Sequence, residues 1–271
     1  MQALRHFLLA VQFFSRIPVT GRLAAWVGWS PALQRASAAH LPGVGWLVGL
    51  VATAVVLACN YALAPHPMLP WVAAVLSTVA TLAVTGGFHE DGMADVADGL
   101  GGHLPADHAL DVMKDSRLGA YGVMALCMGL LTKVVLLAVL ISIDVAAAAL
   151  LLCCVHVLSR GAPLVLMRVL PHVSKPAASK TLHIAGTPLT WGGVVTGLLW
   201  CAPALAAVSV YLGGGIVAAL VLTAAVVNSY MGWRFARRLG GMTGDCLGAT
   251  QQVCELAMYL VCGLLLAQYV I

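Results

Sequence analysis

At 271 residues the chain is long enough for one or two soluble domains, but its composition excludes that class. Hydrophobic residues make up 61% of the chain and charged residues 9%, and the mean hydropathy is +0.97, which is typical of a polytopic membrane protein. The net charge of +4 comes mostly from connecting segments without interleaved aromatic residues, so we expect no nucleic-acid partner.

Residues 1–40 are predicted to form a cytoplasmic or interfacial N-terminal segment. Its first 14 residues combine Arg5 and His6 with a short apolar run. No small-residue cleavage site precedes residues 15–18, so the pattern favours an interfacial helix over a signal peptide.

Seven apolar runs follow, each near the roughly 20 residues that a helix needs to cross a bilayer. They cover about residues 41–64, 69–88, 119–142, 145–166, 190–212, 213–233 and 249–270. Only Gly213-Gly-Gly215 separates the fifth run from the sixth, so a tight hairpin, one long helix and a re-entrant element all remain open. The sequence predicts an all-α, polytopic integral membrane helical bundle of about seven transmembrane helices, in a single domain over 1–271.

Lysine and arginine residues occur on one side of these predicted spans. That side carries Arg5, Arg16, Arg22, Arg35, Lys114, Arg117, Lys175, Lys180, Arg234, Arg237 and Arg238. The connections at 64–69, 142–144 and 213–215 carry none. By the positive-inside rule, the N-terminus and every polar loop are predicted to be cytoplasmic.

Residues 89–102 concentrate four of the ten acidic residues directly after an apolar run. On a helix Asp91, Asp95 and Asp98 would lie at i, i+4 and i+7, within an arc of about 60°. Three carboxylates on one stripe repel each other unless divalent cations lie between them, so the stripe indicates a metal site. The alternative is a solvated, charged helix end. His89 adjoins the stripe and is expected to orient a substrate or carboxylate, or to act as a general base.

A second polar block, residues 113–122, precedes the third span. Lys114 and Arg117 are three residues apart and would share a helix face, where they would form a positive site for phosphate oxygens. Asp115 is a local partner for them, and a positive-inside anchor is the alternative interpretation.

A third block, residues 237–249, is a glycine-rich turn with one carboxylate. Backbone N–H groups around Gly244 would hold a phosphate, and Asp245 would complete a metal shell or accept a proton. A simple connection between helices is the alternative.

Three charged residues lie inside predicted spans. Lys133 and Glu255 would differ in depth by ~10 Å at 1.5 Å per residue, so a direct ion pair is not expected unless the helices tilt or Lys133 snorkels. Arg160 lies nearer the cytoplasmic end of its span, where it would reach a phosphate.

Together these blocks indicate phosphoryl transfer, in which carboxylates hold Mg²⁺ and cationic side chains neutralise phosphate charge. Neither a G-x-S-x-G elbow nor a P-loop is present. A cation or metabolite transporter is an alternative, but its charges should lie near the midplane of the bilayer. A membrane scaffold would not need three aligned aspartates.

Five blocks of the chain resemble the cobalamin synthase family, the adenosylcobinamide-GDP ribazoletransferases of vitamin B12 assembly. The strongest are His89-Glu-Asp-Gly-Met-Ala-Asp-Val-Ala-Asp-Gly99 and Met113-Lys-Asp-Ser-Arg-Leu-Gly-Ala-Tyr-Gly122. Residues 243–248, 13–18 and 159–163 also match, so the resemblance extends over nearly the whole chain.

The resemblance implies a Mg²⁺-dependent enzyme that joins adenosylcobinamide-GDP to α-ribazole or its 5′-phosphate and releases GMP. It implies a multi-pass protein of the bacterial inner membrane with its active site on the cytoplasmic side. It leaves open a homo-oligomer or a complex with pathway enzymes. Enzymes that transfer phospho-alcohols from CDP are similar in chemistry and remain an alternative.

The implied roles of the site residues fall into three groups. Catalytic roles are expected for Asp95, Asp98, Asp245 and His89. Metal ligation is expected from Glu90, Asp91, Asp95 and Asp98. Substrate binding is expected from Lys114, Asp115, Arg117, Arg160 and Gly244.

Overall fold

A computed structural model describes residues 1–173 and 186–268, and these ranges are almost entirely helical. Its helices are α1 (Gln2–Phe14), α2 (Gly21–Val27), α3 (Pro31–Ser37), α4 (Leu41–Leu63), α5 (Leu69–Thr85), α6 (Phe88–Gly101), α7 (Ala106–Val112), α8 (Ala120–Ile143), α9 (Val145–Gly161), α10 (Pro163–Val169), α11 (Trp191–Leu212), α12 (Gly214–Leu239) and α13 (Gly244–Ala267). Within the described ranges the only β pairing is an isolated bridge between His172 and Met242. The all-α prediction is therefore confirmed.

Six helical segments of the described chain are long and apolar enough to cross a membrane. They are Pro31–Leu63, Ala120–Ile143, Val145–Val169, Trp191–Leu212, Gly214–Leu239 and Gly244–Ala267. The bent pair of α5 and α6 would make a seventh span if it is counted as one. The prediction of a multi-pass helical membrane protein is confirmed. The predicted loop cations Lys175 and Lys180 lie outside the described residues.

The second predicted span breaks where the sequence predicted a continuous helix to residue 88. Helix α5 ends at Thr85, and α6 begins at Phe88 with its axis turned by 89°. Gly86 and Gly87 make the turn with φ values of +69° and +70°, a left-handed conformation that other residues adopt at a cost. Because α6 carries four acidic residues over its 14 positions, we place it outside the membrane-spanning segments.

The last two helices have different limits from those predicted. Helix α12 continues to Leu239, and α13 begins at Gly244, five residues before the predicted start. Thr243 caps α13, because its Oγ1 accepts a hydrogen bond from the Cys246 N–H at 3.3 Å. Asp245 therefore lies in the first turn of a helix. Gly213, with φ +87°, lies between α11 and α12. The glycine segment at 213–215 therefore marks the end of one helix and the start of another.

Helix α9 is the centre of the bundle, and 14 of its 17 residues are buried. Helix α4 packs against it through Gly45 and Gly49, where a Cβ would lie 2.5 Å from the His156 carbonyl oxygen and 2.6 Å from that of Cys153. Small residues are what permit such close contact between helix backbones. Helices α11 and α12, with 5 of 22 and 7 of 26 residues buried, lie at the periphery.

Lys133 and Glu255 form a direct ion pair in the buried interior, so the prediction that their depths would keep them apart was wrong. The Lys133 Nζ lies 2.6 Å from Glu255 Oε1, and both side chains are at most 3% exposed. Because α13 begins at Gly244, Glu255 lies ~16 Å along it, compared with ~20 Å for Lys133 along α8, at 1.5 Å per residue. The flexible lysine stem spans the remaining offset.

The second Glu255 oxygen faces two further basic side chains. Glu255 Oε2 lies 3.3 Å from His156 Nδ1 and 4.0 Å from Arg160 Nη1. Arg160 also donates to the His156 carbonyl oxygen at 2.9 Å. We call Lys133, His156, Arg160 and Glu255 the buried ion cluster. It ties α8, α9 and α13 together at one depth.

Glu255→Gln should destabilise the protein by about 3–5 kcal/mol, because it leaves two buried cations without their shared carboxylate. Lys133→Met should cost less, since Glu255 keeps Arg160 and His156. Thermal unfolding in detergent measures both effects. Asp107→Asn, at an exposed position on α7, is the matched control and should leave the midpoint unchanged. A Glu255→Gln midpoint equal to that of the wild type would contradict this interpretation.

Candidate active site

Helices α6 and α13 cross in backbone contact. A Cβ at Gly92 would lie 2.9 Å from the Asp245 carbonyl oxygen and 3.1 Å from its Cα, and one at Gly248 would lie 3.3 Å from the His89 Cα. Only glycine permits helix backbones to approach so closely. The crossing therefore places the acidic stripe of α6 directly beside Asp245.

A chain of buried hydrogen bonds fastens this crossing to the ion cluster. Gln252 Nε2 donates to Glu90 Oε1 at 3.0 Å and to Gln251 Oε1 at 2.9 Å. Gln251 Nε2 donates to Glu255 Oε2 at 2.7 Å and to Ser159 Oγ at 3.0 Å. Glu90 thus connects α6 to the charges that hold α13 in place.

A cavity of about 640 Å³ opens beside the crossing. Its charged lining residues are Arg16, Asp91, Asp95, Lys114, Asp115, Arg117 and Asp245. Phe13, Phe88, Thr243 and Gly244 add apolar and polar surface. The volume is in the range usual for small-molecule sites. We refer to it as the acidic cavity.

Negative charge in this cavity is only partly compensated. Burial, and then the neighbouring carboxylates of Asp245, Asp91 and Asp98, raise the pKa of Asp95 to about 7. A carboxyl group in these surroundings is most readily ionised when a cation occupies the site. The electrostatics therefore favour a positively charged ligand beside Asp95.

Lys114 and Arg117 both line the cavity, but they differ in whether their charge is paired. Helix α7 ends at Val112, so both residues lie in the connection before α8, and the expected shared helix face is not formed. The Lys114 Nζ is buried and has no hydrogen-bond partner among the described residues. It is thus available to a ligand.

Arg117 is paired with the aspartate two residues before it. Its Nε lies 3.0 Å from Asp115 Oδ1, and its Nη2 lies 2.5 Å from Asp115 Oδ2. These hydrogen bonds lower the pKa of Asp115 to about 2. Since the two charges compensate each other, the pair adds little net charge to the cavity.

Four predicted site residues lie outside the lining of the acidic cavity. Asp98 accepts hydrogen bonds from the Gly119 and Gly122 N–H groups, both at 2.8 Å, and so caps α8. Glu90 is bound to Gln252, and Arg160 belongs to the buried ion cluster. His89 is 2% exposed, has no partner for either ring nitrogen among the described residues, and lines a separate cavity of about 30 Å³.

Several cavity residues were not identified from the sequence. Arg16 was counted only as a loop cation, and Phe13 belonged to a supporting block of the family resemblance. Phe88 was assigned to the end of a span. The block at 13–18 could have indicated a role for Arg16, because it places a cation shortly after two aromatic residues.

The carboxylates fit Mg²⁺ as partial ligands. No three His, Cys, Asp or Glu side chains in the described ranges are grouped closely enough to hold a metal ion by themselves. Mg²⁺ in enzymes is typically held by one or two carboxylates, with water and substrate phosphates completing the shell. Asp91, Asp95 and Asp245 line the acidic cavity and offer carboxylate oxygens of this kind.

Comparison with known proteins gives one consistent result. Residues 6–263 match the family described as cobalamin-5-phosphate synthase. Similar proteins named adenosylcobinamide-GDP ribazoletransferase occur in Polaromonas sp. (strain JS666), at 51% identity over 96% of each chain, and in Polaromonas naphthalenivorans, at 48% identity over 96% of this chain and 98% of the relative. The protein of that name from Vibrio cholerae is 38% identical over 94% of this chain and 92% of its own. No solved structure matches the chain.

Gly92→Ala should separate α6 from α13, since the added methyl group meets the Asp245 backbone rather than a movable side chain. We expect a loss of about 1–3 kcal/mol of stability from overpacking, although alanine favours helices more than glycine does. The thermal midpoint in detergent measures the loss. Gly102→Ala, where a Cβ would meet nothing within 4 Å, is the control. Equal midpoints for the two variants would refute the close crossing.

Proposed function

We propose that this chain, which belongs to the cobalamin-5-phosphate synthase family, joins adenosylcobinamide-GDP to α-ribazole or its 5′-phosphate and releases GMP. The family makes it a transferase of late cobalamin synthesis. The observation that carries the proposal is that Asp91, Asp95 and Asp245 line one cavity together with Lys114, whose Nζ has no hydrogen-bond partner in the described ranges.

The proposed reaction is a phosphoryl transfer. A ribazole hydroxyl oxygen forms a bond to the cobinamide-side phosphorus of the diphosphate, and the bond from that phosphorus to the GMP oxygen breaks. The hydroxyl proton leaves to a carboxylate, for which Asp245 and Asp95 are the candidates because both line the cavity. The electron pair of the broken bond leaves with GMP.

The cationic side chain of Lys114 would bind phosphate oxygens, since its buried ammonium group lacks a hydrogen-bond partner among the described residues. Mg²⁺, held by Asp91, Asp95 and Asp245, would supply neutralisation of the diphosphate charge. We assign Glu90 and Asp98 to positioning, because their oxygens bind Gln252 and the start of α8. Arg117 is available only if its pair with Asp115 opens.

The distribution of basic residues supports a cytoplasmic site in the bacterial inner membrane. Arg234 and Arg238 of α12 donate hydrogen bonds to the carbonyl oxygen of Leu100, and Arg238 also to that of Gly102. These basic residues and the acidic cavity therefore belong to the same end of the bundle. By the positive-inside rule, that end would face the cytoplasm.

Transport is the second candidate function, and the buried ion cluster is the observation that favours it. Charged residues inside a membrane domain commonly mark a transport path. Uptake of labelled substrate by sealed vesicles, without any release of GMP, would support transport and refute the transferase proposal.

Asp95→Asn should lower the rate of GMP release at least 100-fold, because the cavity loses a carboxylate that we assign to Mg²⁺. The purified full chain in detergent is assayed with adenosylcobinamide-GDP and α-ribazole, with and without Mg²⁺. Removal of Mg²⁺ by chelation should abolish the wild-type rate. Asp107→Asn is the matched control. Undiminished release by the Asp95→Asn variant would show that this carboxylate is not part of the catalytic site.

A further inference from the structure

Arg16 contacts the turn between α5 and α6. Its backbone N–H donates to the Val84 carbonyl oxygen at 2.6 Å, near the end of α5. Its side chain lies across Gly86, so closely that a Cβ at Gly86 would overlap the guanidinium group. A glycine at this position is therefore needed both for the left-handed turn and for the position of Arg16.

Arg16 also lines the acidic cavity. It makes no side-chain hydrogen bond or ion pair within the described part of the chain, and the residue is exposed. Asp91, Asp95 and Asp245 line the same cavity. An arginine that is held in place by its backbone, with free N–H groups, is arranged for an anionic ligand.

The charges that line the cavity indicate that a diphosphate would need more than one cationic side chain. After Arg117 and Asp115 compensate each other, three carboxylates face the two cations Arg16 and Lys114. A bound diphosphate would add further negative charge to this set. Lys114 alone would leave most of that charge without a protein partner.

We propose that Arg16 and Lys114 are the two side chains that bind the diphosphate oxygens of the substrate, and that Arg16, rather than Arg117, supplies the guanidinium contact. This inference rests on the proposed function. Arg16 follows α1 and Lys114 follows α7, so the two cations reach the ligand from different elements. The planar fork of arginine binds two phosphate oxygens at once, whereas lysine offers a point charge.

The test compares Arg16→Ala and Arg16→Lys with Arg22→Ala, an exposed arginine of α2 that does not line the cavity. The KM for adenosylcobinamide-GDP should rise at least tenfold in Arg16→Ala and less in Arg16→Lys, which keeps the charge but not the fork. The KM for α-ribazole should change less than twofold. Arg117→Ala should raise the KM for adenosylcobinamide-GDP less than Arg16→Ala does.

A binding measurement separates this inference from the proposed function. Calorimetric titration of the detergent-solubilised chain with inorganic pyrophosphate and Mg²⁺ should show at least tenfold weaker binding for Arg16→Ala than for wild type and Arg22→Ala. Weaker binding without any GMP release by the wild type would support the anion site and refute the transferase. Equal pyrophosphate affinity and an unchanged KM in Arg16→Ala would overturn the assignment of Arg16, even if the wild type releases GMP.

Discussion

The contact between the backbones of α6 and α13 at Gly92 is the constraint on which the site depends. It brings Asp91 and Asp95 next to Asp245, although about 150 residues separate the two elements in the chain. A side chain at Gly92 would separate them. Every role that we assign to these carboxylates requires their proximity, so the geometry of one helix crossing determines whether the cavity is a catalytic site at all.

Buried charge stabilises that crossing. Glu255 receives Lys133 on one oxygen and His156, Arg160 and Gln251 on the other. An isolated charge at this depth would be costly, but Glu255 lies within 4.0 Å of both Lys133 and Arg160. Through Gln251 and Gln252 the network reaches Glu90 on α6. Buried charged residues can mark a transport path. Here the buried ion cluster is instead connected by hydrogen bonds to α6.

Local patterns predicted the fold class, the apolar runs and the acidic stripe, because each depends on residues close in sequence. The stripe of Asp91, Asp95 and Asp98 does lie on one helix, but Asp98 binds the start of α8 while the other two face the cavity. The pairing of Lys133 with Glu255 was missed because it depends on where α13 begins, and a five-residue error shifts depth by ~7 Å. Arg16 was missed because its position depends on the contact of the segment after α1 with Val84 and Gly86, which no local pattern encodes.

The central claim is that Asp95 on α6 and Asp245 on α13 act in one site. A double-mutant cycle on the rate of GMP release tests it most directly, with Asp95→Asn, Asp245→Asn and the double variant measured under the same Mg²⁺ concentration. If the two carboxylates serve one site, the double variant should be about as slow as the slower single variant. If the two losses multiply, the residues act independently, and the account of a shared site is wrong.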